Sequence, residues 1–165
     1  MTPTAPASTR RWIVLAAAVV VIDQLTKAAI QSTMRPGEVI PVLPFLSIVL
    51  AFNTGAAFSF LAGADGWQRW FFTVVAVAAS IFIVWLLRQG GGRTYCTGLA
   101  LILGGAIGNL VDRLLLGHVV DFILVHWRDW SYPAFNAADS AITVGAILVI
   151  VDSFRHRRAD APAAP

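Results

Sequence analysis

Four segments of this chain, about Trp12 to Ile30, Trp67 to Leu87, Thr97 to Leu116 and Ala137 to Phe154, are long and apolar enough to cross a bilayer. A crossing takes about 20 residues of helix. Backbone polar groups inside hydrocarbon must be satisfied internally, and a helix does this within a single segment. The expected fold is therefore an all-α membrane protein with four transmembrane helices. With 165 residues in all, the four spans leave room for connections but for no separate soluble domain, so residues 1–165 read as one integral-membrane domain. Only 13% of residues are charged and 58% are hydrophobic, against about 25% charged in an average soluble domain. That balance excludes a soluble globular protein and a disordered one. The single cysteine, Cys96, excludes a disulfide framework, and the three histidines are scattered, which argues against a cysteine-rich metal site.

The net charge of +3 reads as orientation, and no nucleic-acid partner is expected. Arg10 and Arg11 precede the first span, Arg88 and Arg93 lie between the second and third, and Arg155, Arg157 and Arg158 follow the fourth. These are seven of the twelve basic residues. The positive-inside rule puts both termini in the cytoplasm and turns the 31–66 and 117–136 connections outward. Trp12 and Trp85 then fall at the inner interface, and Trp67 and Trp70 at the outer one. The first span leads into Asp23-Gln24-Leu25-Thr26-Lys27 without a small-residue cleavage site, so it reads as a retained helix. The tail, about 156–165, is expected to be disordered. The 31–66 connection is too apolar for disorder and is expected to form short strands plus an amphipathic piece on the outer membrane surface.

The polar residues within the spans carry the functional signal, because a charge in hydrocarbon needs a partner or a task. Asp23, Gln24 and Lys27 lie in the outer half of span one, and Asn109, Asp112 and Arg113 in the outer half of span three. Asp121 follows just beyond, Asn136 and Asp139 open span four, and Asn53 and Ser59 lie on the outer loop. The span residues and Asp121 fall at one depth, and Asn53 and Ser59 are placed to join them from the loop. Gly105, Asn109 and Asp112 share a helix face, while Gly104 and Gly108 form a small-xxx-small pair for close helix packing. Asp139, at a helix start, faces free backbone N–H groups and the positive end of the dipole, which favours an ionised carboxylate. Asp121, among Val119, Val120, Phe122 and Ile123, is favoured as the neutral acid. Two neighbouring carboxyls with split proton affinities are what a water-activating aspartic protease needs.

Plainer roles exist for most of these residues. Asp139 alone suits a helix cap, Asp112 and Arg113 a structural pair, and Asp23 with Lys27 an intrahelical ion pair. The histidines suit interfacial or loop positions, and Cys96 an inert thiol. Carboxylates in membranes also mark proton-coupled transporters, and a noncatalytic assembly subunit is a further alternative. Crowding of the charges at one side, with no internal repeat, weighs against the transporter.

Five motifs occur in order. They are Asp23-Gln24-x-x-Lys27, Asn53-Thr54-Gly55-Ala56-Ala57-Phe58-Ser59, Gly108-Asn109-x-x-Asp112-Arg113, Gly117-x-Val119-Val120-Asp121-Phe122 and Phe135-Asn136-x-Ala138-Asp139-Ser140. On these, the chain from about Trp12 to Asp152 closely resembles the lipoprotein signal peptidase (signal peptidase II) family of bacteria. A local departure is Tyr132-Pro133 where many members have Phe-Pro.

The resemblance implies a membrane aspartic endopeptidase without metal or cofactor. It would remove the signal peptide from prolipoproteins whose lipobox cysteine carries diacylglycerol, cutting N-terminal to that cysteine. It assigns catalysis to Asp121 and Asp139. Asn109, Asp112, Arg113 and Asn136, with Gly105 on the same helix face, support the pair and hold substrate, and Asp23 and Asn53 line the same pocket. It further implies a strand-containing extracytoplasmic cradle between helices one and two, from about Gly37 to Ser59. The expected setting is the bacterial inner membrane, among its lipids, with globomycin as an inhibitory ligand and a monomer as the working state.

Overall fold

The computed structural model describes residues 9–55 and 66–159, with side chains to 155. Helix α1 (Thr9–Thr33) leads into strands β1 (Val39–Leu43) and β2 (Leu46–Asn53). Helices α2 (Trp67–Gln89) and α3 (Arg93–Leu115) follow, then β3 (Val119–Trp127), β4 (Trp130–Ser131) and α4 (Ala137–Ala159). All four helices are long and apolar enough to cross a membrane. The fourth runs past its expected end at Phe154, so residues 156–159, assigned to the tail, are helical. The rest of that tail lies outside the described residues.

Helix α3 packs against each of the other three. Half of its span is buried, against 17% of each of the others. Its glycines explain the difference. Without a hydrophobic force between helices in lipid, association depends on close packing of small residues. A side-chain carbon at Gly104 would sit 2.7 Å from the Ala16 carbonyl of α1, and one at Gly98 would sit 2.6 Å from the Gly145 carbonyl of α4. The expected Gly104/Gly108 pair thus faces α1. The outward side of α2 is a stripe of exposed Trp70, Phe71, Val74, Ile81, Phe82 and Trp85, as a lipid-facing helix requires. Trp67, Trp70 and Trp85 are exposed as interfacial residues would be, but Trp12 is not. It is 7% exposed, packed with Leu87, Cys96 and Leu103, with the Arg11 guanidinium 4.3 Å from its ring centroid.

The sheet differs from the expectation in its origin. Its order is β1-β2-β3-β4, antiparallel throughout. Two strands come from the first outer connection, but β3, the longest, comes from the second. Its register against β2 pairs Ala51 with Asp121 and Asn53 with Val119. The Val119–Trp127 run is rich in β-branched and aromatic residues behind Gly117, which is a strand signal. Its first four residues are all buried, so no polar alternation marks them out. Met34, Leu50 and Val120 pack together and seat the sheet on the C-terminal end of α1. Residues 34–55 contain no helix. The remainder of the loop in which an amphipathic piece was expected, with Ala56, Ala57, Phe58 and Ser59, lies outside the described residues.

Candidate active site

Asp121 is buried on β3 and accepts two hydrogen bonds. Asn53 of β2 donates to Oδ2 at 3.0 Å, and Asn136 donates to Oδ1 at 2.8 Å. The β2–β3 register brings Asn53 within reach, and the Asn53 side-chain oxygen in turn accepts from the Gly55 N–H at 3.0 Å. Burial and then the neighbouring Asp139 charge push the Asp121 carboxyl up to about 7, against the opposing pull of the two amide donors. A carboxyl in this environment keeps its proton near neutrality.

Asp139 sits in the first turn of α4. Asn136 precedes the helix and closes a reciprocal cap with it. The Asp139 N–H donates to Asn136 Oδ1 at 2.9 Å, and the Asn136 N–H donates to Asp139 Oδ2 at 3.2 Å. This is a capping box with Asn and Asp in its two places. Asn109 donates to the other oxygen, Oδ1, at 2.8 Å. The cap reading of Asp139 and its placement beside Asp121 are thus compatible. Asn136 completes the junction by donating to Asn109 Oδ1 at 3.1 Å and to the Val120 carbonyl at 3.2 Å.

Beneath this layer lies Lys27, 1% exposed. Its Nζ is 2.7 Å from Asp23 Oδ2 and 2.9 Å from Asp112 Oδ2, and it donates to Asn109 Oδ1 at 3.0 Å. An ammonium has three protons, and all three have partners. Asp23 also accepts from the Ala138 N–H at 2.9 Å, and so secures the start of α4. Asp112 accepts from the Val120 N–H at 3.0 Å, and so secures the start of β3. Gln24 links the two carboxylates, donating at 3.2 Å to Asp23 and 2.8 Å to Asp112. The expected Asp23–Lys27 pair is present, but it is one edge of a buried network joining α1, α3, β3 and α4. Its formal charge is −1, one ammonium against two carboxylates. Two ionised carboxyls directly above it would face that excess as well as each other.

Asp112 and Arg113, adjacent in sequence, serve different partners. Arg113 turns toward the site and donates to the Asn109 carbonyl at 3.3 Å and the Gly55 carbonyl at 3.4 Å. Asn53, Asn109, Arg113, Asp121 and Asp139 together line a cavity of about 210 Å³. Tyr132, Phe135 and Thr143 also line it, and these three residues with Asp139 border an apolar groove of about 490 Å³ completed by Val125, Trp130, Ser140 and Val144. Gly105 is buried within α3 and does not line the cavity. It lies one turn before Asn109, where an added side-chain carbon would run into the Ala138 carbonyl. At Gly108 the same carbon would be 2.6 Å from Asp23 Oδ2. The histidines stand apart, His118 beside Phe52 and His126 on β3 within 2.9 Å of Ser47 Oγ. His156 lies outside the described side chains.

The family described as "Signal peptidase (SPase) II" matches residues 15–155. The chain belongs to the signal peptidase II family. A "Lipoprotein signal peptidase" of Ralstonia nicotianae is 55% identical over 148 residues, 89% of this chain and 86% of the relative. One of Pseudomonas aeruginosa is 54% identical over 151 residues, 89% of each. A solved structure described as "Bacterial membrane enzyme structure by the in meso method at 2.3 A resolution" superposes with a TM-score of 0.84 at 32% identity, covering 97% of both chains. A second, solved at 1.9 Å, gives 0.77 at 35% identity over 88% of this chain and 94% of that one. Family membership makes the chain a multi-pass bacterial membrane enzyme and sets aside the transporter and assembly-subunit readings. In this signal peptidase II chain, the sequence marks Lys27 and Gln24 only as polar neighbours of Asp23. Their i and i+4 or adjacent spacing accounts for them locally, and only the α3 partners show what they join.

Proposed function

We propose that Asp121 and Asp139 are the catalytic pair of a peptidase that removes the signal peptide from diacylglyceryl-modified prolipoproteins, cutting N-terminal to the lipidated cysteine. The observation that carries this reading is that one residue, Asn136, hydrogen-bonds both carboxyls at the wall of one cavity. Asp139 is the ionised member, because two N–H donors and the positive end of α4 stabilise its charge. Asp121 is the protonated member, buried and facing that charge. Asp139 takes a proton from a water lying between the two carboxyls. The resulting hydroxide attacks the scissile carbonyl, and Asp121 donates its proton to the carbonyl oxygen. Collapse of the tetrahedral intermediate breaks the C–N bond, and the leaving amine takes up a proton held by the pair. Because the pair shares one proton, its titration belongs to both groups.

Arg113 offers guanidinium protons to substrate backbone at the cavity wall. The adjoining apolar groove suits the acyl chains, which stay in lipid while the peptide bond enters the polar cavity. Globomycin would occupy the same cavity. The polar network lies in the second halves of α1 and α3 and at the start of α4, the ends opposite the arginine-rich connections. With cytoplasmic termini, this arrangement supports a site at the extracytoplasmic leaflet of the inner membrane. A monomer suffices, since one chain supplies both carboxyls and all their donors.

The test replaces Asp121 or Asp139 with Asn and follows processing of a lipid-modified prolipoprotein in membranes. Loss of processing at unchanged protein abundance is the expected result. Full processing by either variant would overturn the reading.

A further inference from the structure

Helix α2 supplies none of the residues lining the polar cavity, yet its outer end grips the point from which Asp121 is hung. The last carbonyls of a helix have no partner within it. At the outer end of α3, apolar packing does not compensate: Leu114, Leu115 and Leu116 all expose their side chains. Arg69, in the first turn of α2, meets one of these carbonyls, its Nη2 donating to Leu114 at 2.8 Å. Its Nη1 lies against the turn that follows, where a side-chain carbon on Gly117 would come within 3.4 Å of it. Gly117 has φ of +84°, a left-handed conformation that only glycine takes readily. One turn further along α2, Phe72 lies 5.3 Å from the Arg113 guanidinium and adds a second link between the same helix ends. The strand leaving the Gly117 turn carries Val119, Val120 and then Asp121. From the inside, Asp112 holds the Val120 N–H. From the other side, Arg69 holds the Leu114 carbonyl, with its Nη1 beside the turn.

We propose that Arg69 is a positioning residue for Asp121: by tying the Leu114 carbonyl to α2 beside the Gly117 turn, it sets where β3 begins and so where Asp121 stands relative to Asp139. The inference rests on Asp121 being a reacting carboxyl. Arg69 itself lines neither the polar cavity nor the groove, so the effect is expected on turnover.

The test uses the full chain in detergent micelles with a lipidated prolipoprotein peptide, comparing Arg69→Ala and Arg69→Lys with the unaltered enzyme. Turnover is expressed per folded molecule, counted as monodisperse protein by size-exclusion chromatography. A misplacement of the order of 1 Å costs roughly tenfold to a hundredfold, so Arg69→Ala should lose about that much kcat. KM should stay within about twofold, as expected when an interaction specific to the transition state is weakened. Arg69→Lys, which can still donate to the Leu114 carbonyl, should recover part of the loss. The proposal is overturned by unchanged kcat in Arg69→Ala, by a loss that lies in KM alone, or by a Lys variant no better than Ala. It is equally overturned by a loss wholly accounted for by missing folded protein. Asp121→Asn run alongside separates the two levels. If that variant turns over normally, the assignment of Asp121 fails. If it is inactive while Arg69→Ala is normal, only the positioning role fails.

Discussion

Asn136 donates its side-chain amide to Asp121 at 2.8 Å, joining the residue just before α4 to a strand drawn from a different part of the chain. The same residue caps α4 through Asp139. The start of a helix and the position of a buried acid are therefore one structural event. Asn136 holds a reacting carboxyl in place, and a misplacement of about 1 Å costs on the order of a hundredfold. Asn136→Ala should show at least that loss in a prolipoprotein-processing assay. It should also lower the melting temperature, since a lost helix cap costs about 1 kcal/mol.

Asp121, with its carboxyl near 7, predicts a pH dependence. As the proton donor it works protonated, so kcat/KM should fall as pH rises through about 7. Stability follows the same sign. A carboxyl whose proton affinity is higher in the folded state stabilises the fold while protonated, and that contribution declines from the ordinary carboxylate range up to about 7. Thermal melts across this range should show the decline, and Asp121→Asn should flatten it. A kcat/KM that rises through neutrality would reverse the assignment of donor and base.

Lys27→Met should be among the most damaging substitutions outside the cavity. It leaves Asp23 and Asp112 buried without their shared counter-charge. Breaking a buried pair in this way costs about 3–5 kcal/mol. The expected readout is a large drop in melting temperature in detergent. Asp23→Asn in the Lys27→Met background should recover part of it by removing one unpaired charge.

Gly105→Ala tests the α3–α4 contact. The added carbon meets the Ala138 carbonyl, next to Asp139, and overpacking of this kind costs about 1–3 kcal/mol. Processing and melting temperature should fall together. Ile81→Ala on the lipid-facing side of α2, where Ile81 is 67% exposed, should leave both unchanged.

The four spans were legible in the sequence because hydrocarbon admits so few structures: an apolar run of that length has to be a helix. The common depth of the polar residues was legible for the same reason, since each costly charge reports its own height along a span. Direction and partnership were not. Asp112 and Arg113 are neighbours in sequence but serve different partners, because successive helix residues point about 100° apart and only packing decides what each one meets. The i, i+4 spacing of Asp23 and Lys27 showed a pair, but not that Asp112 and Asn109 complete it from another helix. The strand bearing Asp121 was obscured because its first four residues are all buried, which removes the polar alternation that announces a strand. Sequence alone determined which residues must avoid lipid and at what depth. The tertiary structure decided which of them touch, because contacts across 15 to 115 residues of chain depend on helix crossings and strand register that no local spacing encodes.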